Sequence, residues 1–194
     1  MYLLPTQKTR SSAMRTIIFP PSAVFHSLTH FETLNKRVRD ELCHNGFDHT
    51  QIDTQLQIPG SKFFASFATS PQEVVSLLRE QFPEEFSHIR PDADGRVRLS
   101  FDCGVIIGNQ NIIDESELTP TERESIRVEE RNGCPVRTVQ IERLIPTRIC
   151  QLIMDMHGDT GYLCSLFPGE LAPPLPRSDT ETPDPYWTSH LFIR

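Results

Sequence analysis

The chain has 194 residues, 37% of them hydrophobic and 23% charged, and its formal net charge is −7. This length and composition are typical of one globular domain that buries its core without disulfide or metal support. The negative charge argues against a general nucleic-acid-binding surface, although a local group of cations can still attract an anion.

The cysteines and the hydropathy pattern limit the class of protein further. The five cysteines are an odd number without a CxxC motif, which is typical of reduced, buried thiols. No zinc-ligand spacing is present, so we expect neither a metal nor another cofactor. Because no apolar run reaches about 18 residues and no uninterrupted apolar leader is visible, we expect a cytoplasmic protein without a membrane partner.

Two helices are predicted after an N-terminal arm that covers residues 1–20. Apolar residues recur at three- and four-residue steps and predict one helix over residues 22–44, ended by Asn45-Gly46. The second helix begins at Ser70-Pro71-Gln72-Glu73, a capping box with proline at the first helical position. We expect Pro83 to end it.

Beyond residue 95 the periodicity changes from that of helices to that of strands. Residues 96–107 predict one strand. Asn132-Gly133 is interpreted as a hairpin turn rather than a helix cap, because apolar and charged residues alternate on both sides of it. Residues 148–156 and 162–167 are apolar on both faces, so we expect them to be central strands.

These elements predict an α+β fold, in which N-terminal helices pack on an antiparallel sheet of about four to five strands. We expect this single domain to cover residues 21–176. Pro168-Gly169 would end the last strand, because proline cannot donate a hydrogen bond to the sheet and glycine permits a sharp turn. Residues 177–194 are expected to form a C-terminal tail whose aromatic side chains dock on the domain or on a partner.

Histidines and arginines carry the candidate chemistry. His26 and His30 are four residues apart on the predicted helix and would share a face, where imidazoles can donate or accept protons near neutral pH. Arg143, Thr147 and Arg148 precede a central strand, where guanidinium and hydroxyl groups can hold a phosphate.

Each of these features also has a purely structural interpretation. The histidines could be polar-face residues beside the core, and the arginines could pair with the glutamates interspersed among them, as alternating charges usually do on a solvated surface. Ser165 is a further candidate on the last strand. Its odd separation from Tyr162 predicts that the two side chains lie on opposite faces of the sheet.

The layout resembles the BECR-type ribonuclease toxins, the group of barnase and the colicin ribonucleases. A histidine-bearing helix precedes an antiparallel sheet, and the last hairpin contains GYLCSLFPG. The order of secondary-structure elements is similar over residues 22–176, and the amino-acid sequence itself is similar over residues 143–176. It implies metal-independent cleavage of RNA by 2′-hydroxyl attack. It also implies roles for six residues, as acid and base, phosphate ligands and positioning groups: His26 or His30, Arg143 or Arg148, and Thr147 or Ser165.

Two other classes of function remain open at this point. A non-catalytic protein-interaction module, such as an immunity or prophage-associated protein, is consistent with the acidic charge and the proline-rich C-terminal region. A small-molecule binder that uses the sheet face is the third possibility. The partners expected from these hypotheses are RNA and a protein inhibitor or other protein partner.

Overall fold

The computed structural model of the protein describes residues 14–131, 133–176, 178 and 181–194. Its elements, in chain order, are β1 (Thr16–Ile18), α1 (Pro21–Ser27), a 3-10 helix (Leu28–His30), α2 (Lys36–His44), α3 (His49–Gln57), β2 (Lys62–Phe63), α4 (Pro71–Gln81), α5 (Pro83–Ser87), β3 (Arg96–Asp102), β4 (Gly108–Asn109), β5 (Ile112–Asp114), a second 3-10 helix (Glu115–Glu117), α6 (Pro120–Glu124), β6 (Arg127–Arg131), β7 (Cys134–Val139), β8 (Pro146–Thr147), β9 (Ile149–His157), β10 (Thr160–Pro168), α7 (Tyr186–Ser189) and β11 (His190–Ile193). No helix within these ranges is long and apolar enough to span a membrane.

The predicted helix over residues 22–44 is divided into two helices with a 3-10 turn between them. Phe31 leaves the helix to form a β-bridge with Phe63, and both side chains are fully buried. Asn35 then caps α2, its side chain accepting a hydrogen bond from the Val38 amide at 3.0 Å. The prediction of one continuous helix is therefore wrong, because a tertiary contact at Phe31 interrupts the apolar repeat. The rest of that repeat still forms a core cluster: Val24, Leu28, Val38 and Leu42, with Ile52 from α3.

The second predicted helix is confirmed as α4. The Ser70 hydroxyl accepts a hydrogen bond from the Glu73 amide at 3.2 Å, while the Glu73 carboxylate accepts one from the Thr69 amide at 2.6 Å. The helix ends before Pro83, which opens the short helix α5. The apolar face of α4 packs into the main core cluster through Val74, Val75 and Leu78.

The main sheet has the strand order β1-β10-β9-β3. The prediction that β9 and β10 are central strands is confirmed, since each has a neighbour on both sides. β1 runs parallel to β10, and the other pairs are antiparallel. One face of this sheet forms the main core through residues from all three antiparallel strands: Val97, Phe101, Cys150, Leu152, Met154, Leu163 and Leu166.

Two smaller sheets complete the fold, with the orders β5-β11-β7-β6 and β2-β4-β8. The predicted hairpin at Gly133 is confirmed, because β6 and β7 pair antiparallel with Arg131 opposite Cys134. The α+β class is confirmed as well. The strands, however, form three sheets of three or four strands, two of them mixed and one antiparallel, where the sequence predicted one antiparallel sheet.

The domain extends beyond both predicted boundaries. β1 lies in the predicted N-terminal arm and pairs with β10, whereas residues 1–13 of that arm are outside the described ranges. β11 lies in the predicted C-terminal tail and is inserted between β5 and β7. Leu191 is fully buried in a second core cluster with Ile113 and Val139. Residues 190–193 are therefore a structural strand, because Leu191 and Ile193 contribute apolar side chains to this core.

Candidate active site at His30

His30 is held in place at the C-terminal end of the first 3-10 helix. Its Nδ1 atom lies 3.0 Å from the carbonyl oxygen of Ser61 and 3.1 Å from the Ser61 hydroxyl. Because a carbonyl can only accept, the neutral ring donates from Nδ1 and carries its lone pair on Nε2. Within the described residues Nε2 makes no hydrogen bond. The ring centroid lies 5.5 Å from that of Phe167 on β10.

The surroundings of His30 keep its imidazole neutral. Burial lowers the pKa of His30 from 6.5 to about 4, and the charges of Lys62 and His26 add to this effect, while the hydrogen bond to Ser61 opposes it. At neutral pH the ring is therefore unprotonated and can accept a proton at Nε2. His26 lies one turn earlier, on α1, with an exposed side chain.

Lys62 places an ammonium group beside the 3-10 helix. Its Nζ atom donates to the carbonyl oxygens of Thr29 at 2.9 Å and Leu56 at 2.8 Å. Burial lowers the pKa of Lys62, and the carboxylate of Glu32 opposes that shift. Neither Lys62 nor Ser61 belongs to a motif that is recognisable in the sequence. The available signal was a polar pair directly before an apolar strand.

Gly108 fixes the position of the Ser61–Lys62 segment. A Cβ atom at Gly108 would lie 2.2 Å from the Lys62 carbonyl oxygen and 3.0 Å from the Phe63 Cα atom. Only glycine therefore allows β4 to approach β2 this closely. Ser61, which directly precedes β2, is thereby held at hydrogen-bond distance from His30 Nδ1.

A cleft of about 270 Å³ opens next to this segment. We call it the cationic cleft, because Lys62, Arg143 and Arg194 line it together with a single carboxylate side chain, Glu142. Its remaining polar wall is the run Asn109–Asn111. The structure thus brings Arg143 and Lys62 to one cleft, and Lys62 directly follows Ser61, the residue that holds the His30 ring.

Both predicted phosphate-binding arginines have carboxylate partners. Arg143 binds Glu122 through two hydrogen bonds, of 2.8 Å and 3.2 Å. This pairing raises the pKa of Arg143 and lowers the pKa of Glu122 to about 2. Arg148 binds Asp102 at 2.5 Å. In the ranges that the structure covers, neither guanidinium forms a hydrogen bond or an ion pair with a histidine.

Thr147 and Ser165 have different surroundings. Thr147 is buried on β8, and its hydroxyl accepts a hydrogen bond from the Ile149 amide at 3.1 Å. Ser165 is half-buried on β10, directly after a register shift at residue 164.

The register shift also places Ser165 on the same face of the main sheet as Tyr162. Tyr162 pairs with Asp155 and Ser165 with Ile153, two residues apart on β9. The prediction that they lie on opposite faces is wrong, because the bulge adds one residue to β10.

The face that carries Ser165 also carries an arginine that sequence reasoning missed. Arg98 on β3 is opposite Ile153, which in turn is opposite Ser165. Arg98 forms an ion pair with Asp92. Phe167, the ring in contact with His30, lies on the same face, two residues after Ser165.

A second cleft, of about 300 Å³, has the opposite charge. We call it the acidic cleft, because Asp114, Glu117 and Glu170 line it beside Tyr186 and His190. Burial raises the pKa of Tyr186 to about 12, and the charges of Glu170 and Asp114 add to the shift. A negative potential of this kind repels a phosphate, so the cationic cleft is the better candidate for an anionic ligand.

Over the described ranges, no group of three or more His, Cys, Asp or Glu side chains is arranged to hold a metal ion. The site therefore offers two imidazoles, an ammonium and a guanidinium as its reactive and binding groups. Neither a scan of protein-family models nor a comparison with curated proteins finds a match to this chain.

Proposed function

We propose that the protein is a metal-independent endoribonuclease that acts on RNA in the cytoplasm. The observation that carries the proposal is the neutral His30 imidazole, whose Nε2 atom makes no hydrogen bond within the described residues and whose partner Ser61 directly precedes Lys62, which lines the cationic cleft with Arg143. A base, an acid and a cation are the groups that 2′-hydroxyl attack on a phosphodiester requires.

In the proposed reaction His30 is the base and His26 the acid. Nε2 of His30 takes the proton of the ribose 2′-hydroxyl as the 2′-oxygen forms a bond to phosphorus. The bond from phosphorus to the 5′-oxygen breaks, and protonated His26 gives its proton to that leaving oxygen. The products are a 2′,3′-cyclic phosphate and a 5′-hydroxyl. Each well-placed acid or base contributes about 10²–10⁴-fold in rate.

The low pKa of His30 in the free protein is compatible with this role. A base with a pKa of about 4 is unprotonated at pH 7 but accepts a proton only weakly. An RNA phosphate bound beside it would raise the pKa of His30, because the anion stabilises the imidazolium. The bound substrate would thus strengthen the base that acts on it.

The cleft supplies the proposed phosphate contacts. Arg143 and Lys62 both line it, and each already has a protein partner, so phosphate binding adds to or replaces existing bonds. Ser165 and Arg98 share a face of the main sheet with Phe167 and are proposed to contact the RNA backbone further along. A protein inhibitor that covers His30 is the second partner expected of such an enzyme.

Cleavage of a labelled single-stranded RNA in EDTA tests the proposal. We expect the variants His30→Ala and His26→Ala each to lower the rate at least about 100-fold. His44→Ala, an exposed histidine at the end of α2, is the matched control and should cleave at the wild-type rate. Circular dichroism and thermal melting establish that each variant is folded. Undiminished cleavage by the His26→Ala/His30→Ala double variant would contradict the assignment.

A non-catalytic interaction module is the second candidate function. The observation in its favour is that Arg143 and Arg148 are each neutralised by a carboxylate in a chain of net charge −7. It predicts that the purified protein leaves RNA intact and forms a one-to-one complex with a basic protein, measured by light scattering. RNA cleavage that depends on His30 would exclude it.

A further inference from the structure

Three consecutive carboxamide side chains line the cationic cleft without partners. Asn109, Gln110 and Asn111 are half-buried. In the part of the chain that the structure describes, none of their side-chain amides takes part in a hydrogen bond. Solvent-accessible carboxamides without protein partners offer both donors and acceptors to a ligand.

The backbone of this segment is fixed although its amides are free. The Gln110 amide donates to the Ile145 carbonyl oxygen at 2.9 Å, and the Asn111 carbonyl oxygen accepts from the Ile193 amide at 2.8 Å. Asn109 belongs to β4, which pairs with both β2 and β8. The carboxamides therefore project from a rigid frame, which lowers the conformational entropy lost on binding.

Two of the three amides are the better candidates for recognition. Asn109 ends β4 and Asn111 lies at the bend that follows; both line the cationic cleft, and Asn111 also borders the acidic cleft. Gln110 instead lies near the turn after β10, since a Cβ atom at Gly169 would be 3.0 Å from the Gln110 Cβ atom. Leu144, 63% exposed, adds an apolar surface to the same cleft.

We propose that the cationic cleft is a base-recognition subsite, in which Asn109 and Asn111 read one adenine of a single-stranded RNA. This inference rests on the proposed ribonuclease function. A carboxamide pairs in two-point fashion with adenine, accepting from N6 and donating to N7. The cations Lys62 and Arg143 bind the adjoining phosphate, and Leu144 contacts the base through its apolar side chain. Cleavage is then selective for phosphodiesters next to adenosine.

Binding of mononucleotides tests the subsite independently of activity. We expect 5′-AMP to shift the side-chain NMR signals of Asn109 and Asn111 and to bind at least about tenfold more tightly than 5′-UMP. Asn109→Leu and Asn111→Leu should each remove that difference, whereas Gln57→Leu, an exposed residue outside the cleft lining, should keep it. Equal binding of the two nucleotides by the wild-type protein would overturn the inference.

Cleavage mapping on an RNA of mixed sequence separates this inference from the proposed function. The expected result is cleavage next to adenosine by the wild type and unselective cleavage by the two leucine variants. Cleavage without base preference, or a preference that both variants retain, overturns the subsite and leaves the ribonuclease standing. Selective AMP binding without any cleavage overturns the ribonuclease and supports the base site.

Discussion

The neutral His30 imidazole should make the stability of the fold depend on pH between 7 and 5. In the folded protein the pKa of His30 is lowered to about 4, against 6.5 in an unfolded chain. As the pH falls below 6.5, the unfolded chain binds a proton that the folded protein does not bind. The contribution of His30 to stability is therefore lost progressively down to about pH 4 and does not change further below that pH.

The size of the effect follows from the two pKa values. One pKa unit corresponds to about 1.4 kcal/mol, so the full loss below pH 4 is about 3 kcal/mol. At pH 5 the unfolded histidine is almost fully protonated and the folded one almost fully neutral, which gives a loss of about 2 kcal/mol relative to pH 7. This is a large part of the net stability of a typical domain.

Urea denaturation at pH 7 and pH 5 measures this difference. His30→Gln removes the titrating group, so its unfolding free energy should fall by about 2 kcal/mol less than that of the wild type between the two pH values. His26→Gln, which replaces the exposed neighbour, should retain most of the His30-dependent loss, because burial is the main cause of the lowered pKa of His30 and the charge of His26 the smallest. If wild type and His30→Gln lose equal stability, His30 is not held neutral by its surroundings and the proposed base loses its physical support.

Two further substitutions test the frame that holds the site. Gly108→Ala should destabilise the protein by about 1–3 kcal/mol and lower its melting temperature, because the new Cβ atom meets the Lys62 carbonyl oxygen and no side chain can move aside. Wild-type stability in that variant would contradict the close approach of β2 and β4. Leu191→Ala should cost about 2–5 kcal/mol in chemical denaturation, because this fully buried side chain completes the second core. Val128→Ala, at a 69% exposed position of β6, should change stability by less than about 0.5 kcal/mol, and equal effects of the two changes would refute the placement of β11.

Features that depend on neighbouring residues could be predicted from the sequence. The cap at Ser70 and the hairpin at Gly133 follow from local turn and cap chemistry, which acts over a few residues. The central position of β9 and β10 follows from their apolar character on both faces, since only a strand covered on both sides tolerates it. The α+β class follows from the change of periodicity near residue 95.

Features that depend on distant residues could not be predicted. Phe31 ends a helix only because Phe63 pairs with it, and their contact spans 32 positions along the chain. The bulge at Cys164 turns Ser165 to the face of Tyr162, and no turn residue announces it. The same holds for the site, where the helix pattern identifies His30 while Ser61 becomes its partner only through the bridge between Phe31 and Phe63.

Glu122 decides how much of the charge of Arg143 is available to a ligand in the cationic cleft. Its carboxylate accepts two hydrogen bonds from that guanidinium and also caps α6 through the Thr119 amide at 2.9 Å. Removing its charge would therefore leave the cleft with one more uncompensated positive charge. We expect Glu122→Gln to lower the KM for RNA several-fold at low salt, and the difference to shrink as salt screens the attraction.

Glu124→Gln is the matched control, because it changes the net charge by the same amount from an exposed position on α6 that does not contact Arg143. The wild type should also lose stability as the pH falls from about 4.5 toward 2, since the folded-state pKa of Glu122 is lowered to about 2. Glu122→Gln should lack that contribution. Equal KM values for the Glu122→Gln and Glu124→Gln variants would mean that total charge alone governs RNA binding. In that case Arg143 would be a structural partner of α6 and would make no contact with the phosphate.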